Sequence, residues 1–500
     1  MATLSEEKPS TTASPLNAAL LSQLPATVAV PRYDRSRVVP RIVHIGLGGF
    51  HRAHQAVYLD DLLNQGATDW GICGLGVLEQ DQAMRQALAS QDFLYTLVER
   101  SPQADQARVI GSIRDMMLGF QDQEKTLARL AGPETAIISL TVTEKGYFHD
   151  PATGRLNDKH PAIVNDLAAG AKLQTAIGFI VESLQRRFAG DKTPVTILSC
   201  DNLLGNGDVA KDVILSFATL KYPKLAAWIE ESIAFPNTMV DRITPVTTPK
   251  EKAMVAEKYG IQDQWPIVSE SFRQWIVEDH FAAGRPAWEK AGAELLDDVK
   301  PYEHMKVRLL NGGHSALAYL GYLLGHRLVD RATNDPLITR FLQRLMDEEV
   351  TPTLLPLPRV DLAEYKATLI ARFGNPSIQD QVQRLAMDGS QKLPNNLIAC
   401  VRDQVKAGRP VRLLALALAG WIRYLRGTDE QGAPIEITDP IASQLVSAAQ
   451  SADPARAVLG IKQVFGDDLP QAQPFVRELA AALDSLNQRG TQATLSHYLS

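Results

Sequence analysis

Two hydrophobic patterns divide the chain. As far as about residue 280, short continuous apolar runs, at 42–45, 70–75, 135–143, 195–200 and again just before Asp241, alternate with stretches where apolar residues recur at helical spacing. A continuous apolar run closed by turn residues predicts a strand buried on both faces, and strand–helix alternation predicts a parallel sheet. A short helix and an extended arm are expected over 16–34, helix over most of 161–188, and further strand-like segments over 265–277. Past 287–300 the pattern turns helical, with periodic segments at 302–325, 336–350, 361–372, 375–387, 396–406 and 410–426. The predicted fold class is α/β, a sheet domain followed by a mostly α-helical C-terminal domain.

The first strand runs into Gly46-Leu47-Gly48-Gly49-Phe50-His51-Arg52 and then an amphipathic helix. Strand, glycine turn and helix N-terminus are the setting in which backbone N–H groups receive a pyrophosphate. Gly46, Gly48, Gly49, Phe50 and Arg52 are therefore candidate cofactor-binding residues, although His51 stands where the motif has its third glycine. After the second strand come Glu79 and Asp81. An acid there accepts hydrogen bonds from the adenosine ribose and repels a 2′-phosphate, which points to NAD; the spacing from Gly46 is longer than the usual twenty residues or so, and a solvated loop acid is the equal alternative. The domain expectation is a flexible tail at 1–15, a Rossmann-type dinucleotide-binding domain at 16–295 and a helical substrate domain at 296–500.

The helix over 302–325, YEHMKVRLLNGGHSALAYLGYLLG, places Lys306, Asn311 and His314 among apolar residues. At roughly 100° per residue His314 lies about 80° from Lys306 and Asn311 about 140°. One face would then present an amine, an amide and an imidazole together. A lysine on an apolar face either reaches water or loses its proton more readily, and the second case makes a base near neutral pH. Gly312 and Gly313 cost a helix about 1 kcal/mol each relative to alanine, a loss most easily tolerated where something must come close. In the sheet domain, Asp201 and Asn202 follow a strand and read equally as a ligand site or as a turn and helix cap. Asp241 and Arg242 follow another apolar strand, where a local ion pair is the plain alternative.

Composition narrows the function. The chain has 500 residues, 45% hydrophobic and 22% charged, which fits two soluble cores. A net charge of -6 offers no general attraction to nucleic acid. The longest clean apolar run, 413–422, lies between Arg412 and Arg423 and is well short of the roughly 20 residues that cross a bilayer. The polar amino end lacks the apolar core of a secretory signal. Cys73, Cys200 and Cys400 fit reduced core thiols, so the cytoplasm is expected. Zinc catalysis would need tetrahedral Cys, His or carboxylate sets, and His51 with His54 is the only close histidine pair, with no cysteine nearby. No metal is expected.

GLGGFHRAHQA, SCDNL, FPNTMVDRITP and KVRLLNGGHSALAYLG resemble the long-chain polyol dehydrogenases of the mannitol dehydrogenase family, nearest to the branch that works at C2 of mannitol. The resemblance runs from about Leu16 to the carboxyl end. It implies NAD-dependent, metal-independent interconversion of D-mannitol and D-fructose. It further implies that Lys306 is the general acid/base, that Asn202 and Asn311 form an oxyanion hole, and that His314 orients substrate. Asp241, Arg384 and Lys392 would contact substrate hydroxyls, with Glu303 beside the proton's exit. Asp81 fits the family's NAD-selecting acid, and Glu79 is a local addition. The partner is a small polyol or ketose, and a monomer carries every residue of the set. Two alternatives stay open: a hexuronate reductase, which would use Arg242, Arg384 and Lys392 for a carboxylate, and a non-catalytic NAD-binding sensor.

Overall fold

The computed structural model describes residues 13–150 and 155–500, and the chain divides into two compact units at Lys300/Pro301. Residues 1–12 of the expected tail lie outside the described residues. Ser14–Pro15 is already a strand, paired in parallel with Ile261–Gln262.

In the first unit the strands that position the site are β1 (Ile42–Ile45), β2 (Ile72–Gly76), β3 (Ile113–Leu118), β4 (Ile137–Leu140), β5 (Thr196–Ser199) and β6 (Thr238–Asp241). The first five form a parallel sheet in the order β5-β4-β1-β2-β3. Every residue of β1, β4 and β5 is buried, because helices cover both faces, and this is why they read as unbroken apolar runs. Ile42 and Ile137 pack on one face with Ala56 and Leu59, whereas Val43, Ile138 and Ile197 pack on the other with Ile180 and Phe217. The chain winds one way from β1 to β3 and the other way from β4 to β5. Ligands of such sheets bind beyond the carboxyl ends where that order reverses. β6 continues past β5 through a parallel bridge between Thr196 and Ala234 and pairs antiparallel with Gln274–Glu278. The helices used below are α1 (Gly49–Ala53), α2 (Gln55–Asn64), α3 (Asp81–Ala89) and α4 (Asn206–Lys221).

The second unit is helical. One continuous run comprises α5 (Lys300–Met305), a π-helical segment Lys306–Asn311 and α6 (Gly312–Leu323). It is followed by α7 (Leu362–Phe373), α8 (Leu397–Lys406), α9 (Arg412–Tyr424) and α10 (Gln473–Leu499). The ten-residue apolar run falls in α9, which is buried all round and packs on both α6 and α10. Among the described residues no helix is long and apolar enough to cross a membrane. The helix expected over 375–387 is a correction: only Val382–Ala386 is helical there. Asn375 precedes Pro376, which disfavours helical backbone, its side chain accepts from Ser377 N at 3.0 Å, and Gln379 takes a φ of 54°.

Candidate active site

The glycine turn leaves β1 with Gly46 at φ +91°. A Cβ there would run into the Thr141 carbonyl, so this position needs glycine both for its backbone and for the space. Gly46→Ala is expected to destabilise the protein by at least about 2 kcal/mol, from the left-handed backbone plus the overlap, read as a lower denaturation midpoint with unchanged m-value. Gly48 is the extended residue that opens α1, and Gly49 begins it. The third glycine of the motif is replaced by a residue that turns inward: His51 is 1% exposed and its ring stacks on His44 at 3.4 Å. Phe50 stacks on His54 at 4.9 Å. Arg52 does not face a ligand as expected. It is 1% exposed, donates to the Trp265 carbonyl at 2.7 Å and lies over the Tyr95 ring, within a short helix whose last three residues are all buried.

Asp81 opens α3 directly beyond β2, and its Oδ2 accepts from Leu78 N at 3.0 Å. A Cβ on Gly76 would overlap its side chain, so the carboxylate folds over the end of the strand, and desolvation raises its pKa. The long spacing from Gly46 does not displace it from the strand end. Glu79 is exposed in the connecting loop.

The ends of β5 and β6 are tied together by a residue the motifs did not single out. Asn206, wholly buried at the start of α4, donates to the carbonyls of Asp201 and Thr238 and accepts from Thr238 N, all at 2.9 Å. Thr238 Oγ1 adds a bond to the Ser199 carbonyl at 2.7 Å. The local signal was the Asn-Gly pair after SCDNLLG, which reads as a turn rather than a clamp. Asp201 is not the helix cap of the plain alternative: its carboxylate accepts from Val142 N, Thr143 N and the Tyr147 hydroxyl and so braces the segment after β4. Asn202, the next residue, is exposed. Asp241 ends β6 and is buried. Arg242 is consumed inside the unit: it donates to the carbonyls of Glu270 and Ala53 and pairs with Glu99.

In the second unit Glu303, Lys306, Asn311 and His314 lie on one continuous helical run, with Glu303 5% and Lys306 7% exposed. The angles expected for a regular helix do not hold between Lys306 and Asn311. This stretch is π-helical, so its backbone bonds run i→i+5 and the two residues stand one turn apart on one side. π-Bulges of this kind occur often at functional sites. The Oδ1 of Asn311 is buried and has no hydrogen-bond partner. His314 stacks on Phe373, centroids 4.0 Å apart, and Phe373, at the end of α7, was not singled out although it lies in the RFGNP stretch. Gly313 faces Met346 and Phe373, and a Cβ would come 2.7 Å from Met346 Cε, which explains the glycine in an otherwise bulky helix. Arg384 lies on Val382–Ala386, which packs on α6, and pairs with Asp380 four residues before it. Lys392 ends the short helix Gly389–Lys392, whose first residue abuts Trp421 and the Tyr319 hydroxyl.

Residues 40–290 match the mannitol dehydrogenase Rossmann domain and 298–487 the mannitol dehydrogenase C-terminal domain. The chain belongs to the mannitol dehydrogenase family. It is 44% identical to a mannitol 2-dehydrogenase of Aspergillus fumigatus over 497 residues, covering 97% of this chain and 99% of that one. It is 44% identical to a mannitol 2-dehydrogenase of Phaeosphaeria nodorum, covering 97% and 85%. Among solved structures, the Pseudomonas fluorescens mannitol 2-dehydrogenase ternary complex with NAD and D-mannitol superposes with a TM-score of 0.88 at 42% identity, covering 97% of this chain and 99% of that one. A substrate-free D-sorbitol dehydrogenase superposes at 0.89 with 35% identity, covering 96% and 100%. The family thus extends over both units of this chain.

Proposed function

We propose that this member of the mannitol dehydrogenase family is an NAD-dependent polyol dehydrogenase that oxidises D-mannitol to D-fructose and catalyses the reverse reduction, without a metal and with Lys306 as general acid/base. The observation that carries the reading is the π-helical segment that sets a buried Lys306 and Asn311 one turn apart, with His314 in the next turn. The glycine turn fits a dinucleotide: Gly46 has the positive φ of a tight turn directly after a buried strand, and Gly48 opens a helix. Bound NAD⁺ supplies the hydride acceptor.

The chain's own groups handle the proton and the developing charge. As hydride leaves the carbinol carbon, the Nζ of the buried Lys306 takes the hydroxyl proton. Glu303, one helical turn earlier, stands on the same side to pass that proton on. Asn311 presents a carboxamide whose oxygen has no partner. Turned about its own axis, that amide offers N–H to the oxygen where negative charge grows, a donor worth roughly 3 kcal/mol in comparable sites. Asn202 is assigned the second donor, and His314, steadied by Phe373, orients the substrate. Asp241, Arg384 and Lys392 are assigned to the remaining hydroxyls.

The hexuronate alternative is weakened by Arg242, whose guanidinium is already bound to Glu99, Glu270 and Ala53. The decisive assay is initial-rate NAD⁺ reduction with D-mannitol, D-arabinitol, D-sorbitol and D-mannonate, with and without EDTA. EDTA-insensitive turnover of D-mannitol supports the proposal, turnover of mannonate alone replaces it with the uronate reading, and tight NADH binding without turnover of any of the four replaces it with the sensor. Asp81→Asn is expected to raise the NADP⁺/NAD⁺ ratio of kcat/KM by about tenfold or more, since it removes the charge that repels a 2′-phosphate. An unchanged ratio would remove Asp81 from cofactor selection.

A further inference from the structure

Beneath the glycine turn, between the sheet and α2, lies a cavity lined by His51, Gln55, Ser139 and Trp275 among apolar residues that include Ile42 and Leu198. All four of those polar-bearing side chains are at most 5% exposed. Both ring nitrogens of His51, both amide atoms of Gln55 and the indole Nε1 of Trp275 are buried without a hydrogen-bond partner in the protein. Gln55, one helical turn after His51, is close enough for the two side chains to interact, but no hydrogen bond of good geometry joins them. A buried polar group left unanswered is destabilising, so five such atoms around one cavity call for a ligand. Burial holds His51 neutral, well below the ordinary imidazole range, so one ring nitrogen donates and the other accepts. Gln55 likewise offers both a donor and an acceptor, and Trp275 a donor. The ligand must therefore be neutral, small, and able to donate and accept.

The hydrogen bonds behind the cavity have a fixed direction. Thr141 donates its hydroxyl proton to the Gly46 carbonyl at 2.7 Å, which leaves its oxygen to accept from His44 Nε2 at 2.9 Å. His44 Nδ1 is then an acceptor, so the Ser139 hydroxyl, 2.8 Å away, donates to it. Ser139 keeps lone pairs on the cavity side of the chain. His44 in turn stacks on His51 at 3.4 Å. One polar chain thus runs from the first glycine of the turn to the cavity wall. The cavity measures about 10 Å³, at the lower bound of the roughly 10–15 Å³ that one enclosed water needs.

We propose that this cavity is a binding site for a single internal water, bridging His51, Gln55 and Trp275 and closing the hydrogen-bonded chain that supports the Gly46 turn. The water has two to four partners, as buried waters do.

The sign of one substitution separates a wet cavity from a dry one. Gln55→Met keeps the side chain's length and removes its amide. If the water is bound, the variant loses hydrogen bonds to it, and the melting temperature of the full-length protein falls by about 2–4 °C or more. If the cavity is dry, the variant deletes two unanswered polar atoms and the melting temperature rises, which overturns the proposal. A crystal structure of the unaltered protein is the second arm. Density for a water within 3.2 Å of at least two of His51, Gln55 and Trp275 supports the site, whereas a dry cavity, or a Gln55 amide bonded directly to His51, overturns it.

Discussion

Lys306→Ala lowers the rate of D-mannitol oxidation by on the order of 10³–10⁴-fold, with NADH binding changed by no more than about twofold. The size follows from the position. In the proposed mechanism the buried amine at the head of the π-helical segment takes the hydroxyl proton, and alanine removes that base. The acid limb of the kcat/KM profile, which reports protonation of the essential base in the free enzyme, disappears in the variant. A small primary amine added to the buffer restores part of the rate, which a merely structural role for Lys306 does not allow. A variant that keeps a wild-type rate and profile would remove Lys306 from the mechanism. Asn311→Ala is the companion case, at about 10²–10³-fold in kcat with little change in KM, because in the proposed mechanism its donor acts only on charge that develops in the transition state.

The second large effect is on stability below neutral pH. His44, His51 and His54 sit together around the glycine turn and are 1% exposed or less. Desolvation holds His44 and His54 down to about 3 and His51 well below the usual 6.5. The folded protein therefore keeps them neutral, while the unfolded chain takes up protons as the pH drops through about 6.5. Their contribution is fully present above that value and is lost as pH falls from there toward 3. Each histidine removes about 1.4 kcal/mol per pH unit in that window, about 4 kcal/mol per unit for the three, against a total stability of about 5–15 kcal/mol for a domain. Asp60, Asp201 and Asp263, whose pKa values burial raises, act in the opposite sense over the lower part of the window. The histidine term is isolated by His54→Phe, which suits the surrounding Phe50, Tyr58 and Trp275 rings. In denaturant titrations the two proteins should run parallel above about pH 7, and below about pH 6 the variant's stability should fall less steeply than the parent's by about 1.4 kcal/mol per unit. Parallel slopes there too would show that His54 is protonated in the folded state.

Much of this was legible in the chain because it depends on local rules. Unbroken apolar runs meant strands covered on both faces, and β1, β4 and β5 are buried along their whole length. A ten-residue apolar run between arginines was too short for a bilayer and is the core helix α9. A glycine ending a strand meant a tight turn, and Gly46 has the positive φ and the crowded Cβ direction that require it. The family was legible for the same reason, since its motifs are contiguous stretches.

Other features depended on partners distant in sequence. Nothing local marks Asn206 as the clamp between β5 and β6, because its partners at Thr238 lie 32 residues away. Arg242 and Arg52 looked available for a ligand, and only the fold shows that Arg242 is bound to buried carbonyls and Glu99 and that Arg52 is buried against the Tyr95 ring and the Trp265 carbonyl. The π-helical step at Lys306–Asn311 is invisible to a fixed 100° rotation, since its composition matches that of an ordinary helix and its bonding differs by one residue. The sequence by itself determined the strand order's raw material, the glycine turn and the residue types of the site, because each follows from burial pattern or backbone sterics within a few positions. The tertiary structure alone decided which charged groups were already paired, how Lys306 and Asn311 align, and which polar atoms enclose the cavity under the turn, because each is set by contacts across tens to hundreds of residues.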